Sequence, residues 1–100
     1  MTNKAFPRAK RIAQQIQQTL SELIRRELRD PRLGMVTITE VRVASDLGSA
    51  KVYFSALGAS GSTNQGQQAQ EILQAAAPLL RGPLGRALGI RHSPELRFVH

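Results

Sequence analysis

Residues 75–92 read AAAPLLRGPLGRALGIRH, and the fold turns on how this stretch is read. Its alanines and leucines ask for helix, while two prolines and three glycines argue against one. A proline inside a helix removes one backbone donor, and its ring clashes with the carbonyl four residues back. Pro78 and Pro83 are therefore each expected to bend, break or begin a helix. The charged side chains of the stretch are Arg81, Arg86 and Arg91, all positive. Spaced by five, they would scatter around one continuous helix at about 140° per step. A break between them is what brings them to one side. Two readings stand together: a plain helix-to-helix turn with solvated arginines, or a basic segment bent to face an anion.

Working outward, a second short helix is expected to begin near Pro83 and to close at Gly89, a residue suited to a C-terminal cap. PELRFV then alternates Leu96 and Phe98 against Glu95 and Arg97, the pattern of a half-buried strand. Before the break, Ala69, Ile72, Leu73 and Ala76 share one helical face. GASGSTNQG, residues 58–66, is small and polar and reads as a loop inside the domain. Upstream lie two strands. MVTITEVRVA alternates Val36 with Ile38 and then shifts to Val41 and Val43, which suggests a β-bulge or a strand buried on parts of both faces. SDLGS supplies turn chemistry, and KVYFSAL puts Val52, Phe54 and Ala56 on one face, so the two strands should pair antiparallel.

The first element runs from about Pro7 to Leu28. Ile12, Ile16, Leu20, Leu23 and Ile24 recur at helical spacing, with Ala9 and Ala13 beside them. Pro7 suits the first helical position, and Asp30 before Pro31 is pushed out of helical geometry, so this helix ends near Arg29. Opposite the apolar stripe, Arg8, Arg11, Arg25, Arg26 and Arg29 fall within an arc of about 100°. Glu22 precedes Arg25 and Arg26 by three and four residues and is expected to pair with them. The amino-terminal end, with Lys4, Arg8, Lys10 and Arg11, carries no acid. The glutamines at 14, 15, 17, 18, 65, 67, 68 and 70 read as solvated helix positions.

At 100 residues and 41% hydrophobic, the chain is one small domain, spanning residues 1–100, with a thin core. Fourteen Lys and Arg against seven Asp and Glu leave a net charge of +7, which favours a polyanionic partner. The excess lies in the first helix and the proline-containing segment, while residues 34–64 carry two positive and two negative side chains. Without cysteine there is neither a disulfide framework nor a thiolate metal site. No apolar run approaches the roughly 18 residues of a membrane span, and MTNKAFPRAKR has no apolar signal region. A cytoplasmic protein is expected.

Catalytic groups are sparse. His92 and His100 stand near the end of the chain without a metal-binding spacing. The carboxylates are scattered singly, and no phosphate-cradling GxxxxGK[ST] occurs. The expectation is a non-enzyme without metal, cofactor or small-molecule substrate. Four aromatics, Phe6, Tyr53, Phe54 and Phe98, make the sheet a poor platform for stacking bases. Nucleic acid would then be held by its backbone, at helix ends and at a helix break where N–H groups and arginines meet phosphate. The candidate RNA-binding residues are Lys4, Arg8, Lys10, Arg11, Arg81, Arg86 and Arg91.

RAKRIAQQIQQTLSELIRRELRDPRLGMVTITEVRVASDLGSAKVYFS and GRALGIRHSPELRF, in this order of elements, resemble the bacterial ribosome-binding factor A family over nearly the whole chain. The resemblance rests on R-x-x-R-I-A in the first helix, D-P-R-L before V-T-I-T-E-V, the S-x-D-L-x-x-A-K-V-Y-F turn and strand, and P-E-L-R-F. It implies an α+β, type II KH-like fold, helix-strand-strand-helix-kinked helix-strand, with a three-stranded mixed sheet. It implies a monomeric assembly factor that binds the immature small ribosomal subunit and its rRNA. Such a factor assists late maturation of the 5′ region and supports growth in the cold. A general nucleic-acid-binding KH-like module is the alternative. The family kinks its helix at Ala-x-Gly, where ordinary KH domains carry a GxxG loop. The matching positions here are Ala76, Ala77 and Pro78, with proline in place of glycine. The resemblance also implies an acidic segment beyond His100.

Overall fold

The computed structural model describes residues 7–28, 30–57, 65–90 and 92–100. Helix α1 spans Pro7–Glu27, and a short 3-10 turn, Pro31–Leu33, leads into strand β1, Met35–Val43. Strand β2, Ser49–Leu57, helix α2, Gln65–Leu88, and strand β3, Glu95–Val99, follow. The strands lie in the order β1-β2-β3, with β1 and β2 antiparallel and β2 and β3 parallel. This is the α+β arrangement with a three-stranded mixed sheet that the resemblance implies. The expected loop at 58–64 lies outside the described residues.

Both helices cover one face of the sheet. From α1, Ile16 and Leu20 are fully buried, and Ile12, Ala13, Leu23 and Ile24 join them. Val52, Phe54, Leu96 and Phe98 come up from the sheet, with the Phe54 and Phe98 rings edge-on at 6.5 Å. The shift in alternation along β1 is a bulge: Ile38 faces Phe54 and Glu40 faces Tyr53, leaving Thr39 extra. Gln17, read as a solvated position, instead donates from Nε2 to the Ile38 carbonyl at 3.2 Å, beside the bulge. Buried carbonyls that lose a ladder partner need another, and α1 supplies it.

The proline-rich stretch differs from expectation. There is no second helix starting near Pro83: α2 runs unbroken for 24 residues with Pro78 and Pro83 inside it. Leu73, Ala77, Leu80 and Leu84 form a buried stripe along this length. Tertiary packing of that stripe outweighs a local cost of about 3 kcal/mol per internal proline. Ala76, Ala77 and Pro78 thus lie within helix, with Ala77 buried and Pro78 exposed. The expected cap is present. Gly89 has φ 69°, its N–H donates to the Arg86 carbonyl, and Ile90 N–H donates to the Gly85 carbonyl at 3.1 Å.

Two side-chain devices finish the frame. Gln74 on α2 reaches the outer edge of β3, donating from Nε2 to the Leu96 carbonyl and accepting from the Phe98 N–H, each at 3.0 Å. Asp30, extended as expected before Pro31, accepts the Arg32 N–H at 2.9 Å and so caps the 3-10 turn. Arg32 also binds the same carboxylate through its guanidinium and holds its pKa down at about 2.

Candidate nucleic-acid interface

The basic side chains expected to meet RNA fall in two places. On α1, Arg8, Lys10, Arg11, Arg25 and Arg26 are all exposed. At 1.5 Å per residue, Arg8 and Arg26 stand about 27 Å apart along the axis. The first turn carries no acid. Cations there oppose the positive end of the helix dipole, so this end of α1 is electrostatically unsatisfied until an anion arrives. Glu22 does not pair with Arg25 or Arg26 as expected. Arg26 meets its neighbour Glu27 at 3.3 Å, and among the described residues Glu22 and Arg25 make no ion pair. Exposed pairs on one helix face are worth only a few tenths of a kcal/mol, too little to hold a particular rotamer. Lys4 lies outside the described residues.

The second place is an open depression between the end of α2 and the approach to β3. Arg81, Gly82, Gly85, Arg86, His92 and Ser93 line it, with Ile90 at its base. Arg81 and Arg86 therefore share one site although the helix between them does not break. The arginine side chain closes the gap. The Arg86 guanidinium folds back one turn, to within 3.5 Å of where a Cβ on Gly82 would stand. Side chains tilt toward the helix N-terminus, so a residue four positions earlier is the natural neighbour, and glycine leaves it room.

Arg81 is held in place from below. Its Nη2 donates to the Ser93 carbonyl at 3.0 Å, and Ser93 Oγ donates to the Arg81 carbonyl at 2.9 Å. This reciprocal pair fastens α2 to the segment before β3 and leaves the remaining guanidinium donors free to turn outward. Sequence reading missed Ser93 and the two glycines. The G-P-L-G spacing at 82–85 was the available signal for the glycines; a lone serine twelve residues from its partner offers none. Arg91 lies outside the described residues.

The carboxylates do not gather. Glu27, Asp30 and Glu40 each pair with a nearby arginine at the surface, and Asp46 accepts the Gly48 N–H at 2.9 Å. Among the described residues no group of three or more His, Cys, Asp or Glu side chains is placed to hold a metal. His100 packs against the Phe54 ring at 5.5 Å, and no described helix is long and apolar enough to cross a membrane.

Two helices on one face of a β1-β2-β3 mixed sheet, with a glycine-floored, arginine-rimmed depression at the end of α2, define a KH-like α+β protein. The comparisons narrow this class. A family model for ribosome-binding factor A matches residues 8–100. The ribosome-binding factor A of Alkalilimnicola ehrlichii is 54% identical over 95 residues, covering 95% of this chain and 72% of that protein. The crystal structure of ribosome-binding factor A from Thermus thermophilus superposes with a TM-score of 0.77 at 28% identity, covering 91% of this chain and 93% of that one. A homology model of the Thermus thermophilus factor, fitted into a cryo-electron microscopy map of a 30S complex, gives 0.69 at 30% identity over 86% and 87% of the two chains. The chain belongs to the ribosome-binding factor A family.

Proposed function

We propose that this protein binds the small ribosomal subunit through the phosphate backbone of its rRNA and acts as an assembly factor on the immature particle. The observation that carries the reading is the depression at the end of α2. Arg81 and Arg86 rim it, Gly82 leaves room for the Arg86 guanidinium to fold back, and no carboxylate lines it. Arginine forks match phosphate geometry, and contacts to the backbone of RNA position a protein on it without reading its sequence. Arg8, Lys10 and Arg11 extend the contact, their repulsion with the helix dipole being relieved by an anion. Membership of the family, and the 30S complex in which the Thermus relative has been placed, support the small subunit as partner.

On this reading the protein makes and breaks no covalent bond. It holds a late rRNA arrangement until the 5′ region matures, a service most needed in the cold, where wrong RNA pairings are slow to come apart. It works as a cytoplasmic monomer without cofactor or small-molecule substrate. Co-sedimentation with free small subunits and with complete ribosomes tests the assignment. The protein should accompany the free subunits preferentially. Equal recovery with both, or displacement by duplex DNA at physiological salt, would identify a general polyanion binder instead.

A further inference from the structure

We propose that the open face of the sheet is a second phosphate-binding surface, so that the protein sits between two RNA segments. The inference rests on the RNA-binding reading above and adds a second contact on the opposite side of the molecule. Strand register carries it. Arg42 on β1 faces Lys51 on β2, and Lys51 faces Arg97 on β3, forming one row of three cations across the whole sheet. All three are exposed, on the face away from α1 and α2.

Like charges directly opposite one another across strands are destabilising, so the row works against the free protein. Counter-charge is partial. Arg42 pairs with Glu40 on its own strand, whereas Lys51 and Arg97 make no ion pair, although all seven carboxylates of the chain are among the described residues. Glu95 shares this face, two positions before Arg97, and makes no ion pair among the described residues. With strands about 4.8 Å apart, the row spans about 10 Å, long enough to follow more than one phosphate of a strand. Thr37 and Ser55, directly opposite each other on the same face, add hydroxyl donors. Tyr53 is not free for stacking, since the Arg42 guanidinium lies 5.6 Å from its ring centre. Phosphate rather than base is therefore the ligand.

The second surface cannot serve the same RNA segment as α1. The molecule is a slab of 44 × 31 × 17 Å, with the basic face of α1 on one broad side and the sheet row on the other. A protein positive on both broad sides draws two polyanionic strands toward each other.

Energy transfer between two RNA hairpins, one carrying a donor dye and one an acceptor, tests this on the full chain. Transfer should rise at equimolar protein and fall in excess protein, as each hairpin acquires its own copy. It is read per bound hairpin, which separates loss of the second contact from loss of the first. Replacing Lys51→Gln together with Arg97→Gln should cut that transfer by about tenfold, as expected for two phosphate contacts. Melting at or above the wild-type temperature would show that the fold is kept. Transfer unaltered in the double variant, or absent from a wild-type protein that binds single hairpins, overturns the inference. A wild-type protein that binds no hairpin at all sinks the RNA reading beneath it.

Discussion

Arg81 and Arg86 look alike in sequence and differ in what holds them. Arg81 exchanges two hydrogen bonds with Ser93, so replacing it disturbs both anchorage and charge. Arg86 makes no such tie. Arg86→Glu should therefore weaken small-subunit binding roughly tenfold at low salt with only a small fall in melting temperature from the lost cation at the carboxyl end of α2, a separation that co-sedimentation and calorimetry together resolve. Ser93→Ala should do the reverse, costing about 1 kcal/mol of stability in urea unfolding by removing one hydrogen bond. It should lower binding only as far as Arg81 loosens. The arginines were visible in the sequence because an all-positive run stands out. Their partners were not, because a serine–arginine tie across twelve positions leaves no periodicity to read.

At the level of elements, the apolar stripe of α1 and the bulge of β1 were plain, since each is written in spacing: period 3.6 in one, a one-residue slip of alternation in the other. The unbroken length of α2 was not legible because Pro78 and Pro83 dominate the local signal, whereas the stripe Leu73, Ala77, Leu80 and Leu84 prevails only through its burial against the rest of the fold. Because Pro78 is exposed and within helix, Pro78→Ala should raise stability by about 1–2 kcal/mol in thermal unfolding. Pro78→Gly, which keeps the freedom to bend, should leave binding little changed. The 3-10 turn carries a pH signature. The Asp30 carboxyl is depressed to about 2, so its contribution is complete above about pH 4 and is lost as pH falls through 2. Asp30→Asn should flatten that part of the urea-midpoint curve between pH 4 and 2.

For the molecule as a whole, net charge announced a polyanion but not its geometry. Residues 34–64 are neutral by count, yet the register sets their two cations, Arg42 and Lys51, in line with Arg97 on the open face, where Glu40 pairs with Arg42 alone. Such a row depends on pairing among three distant segments, including a parallel contact, and no window of sequence displays it. If both broad sides meet phosphate, the slope of log binding constant against log salt should drop for Arg86→Glu and drop again when Lys51→Gln and Arg97→Gln are added. Each lost contact should take off roughly 0.7–0.9, by titration from low to physiological salt. The chain spans about 72% of its Alkalilimnicola relative, and these expectations concern the KH-like portion alone.

Gln74 has a wider consequence. By offering one carbonyl and one amide to Leu96 and Phe98, it imitates a neighbouring strand with a single side chain. Two backbone groups of that rim are thereby occupied, and an extended peptide seeking to lengthen the sheet is turned toward the other rim, at β1. Shortening Gln74 to alanine would reopen the vacancy, and gradual self-association, followed by light scattering, is the symptom to watch for.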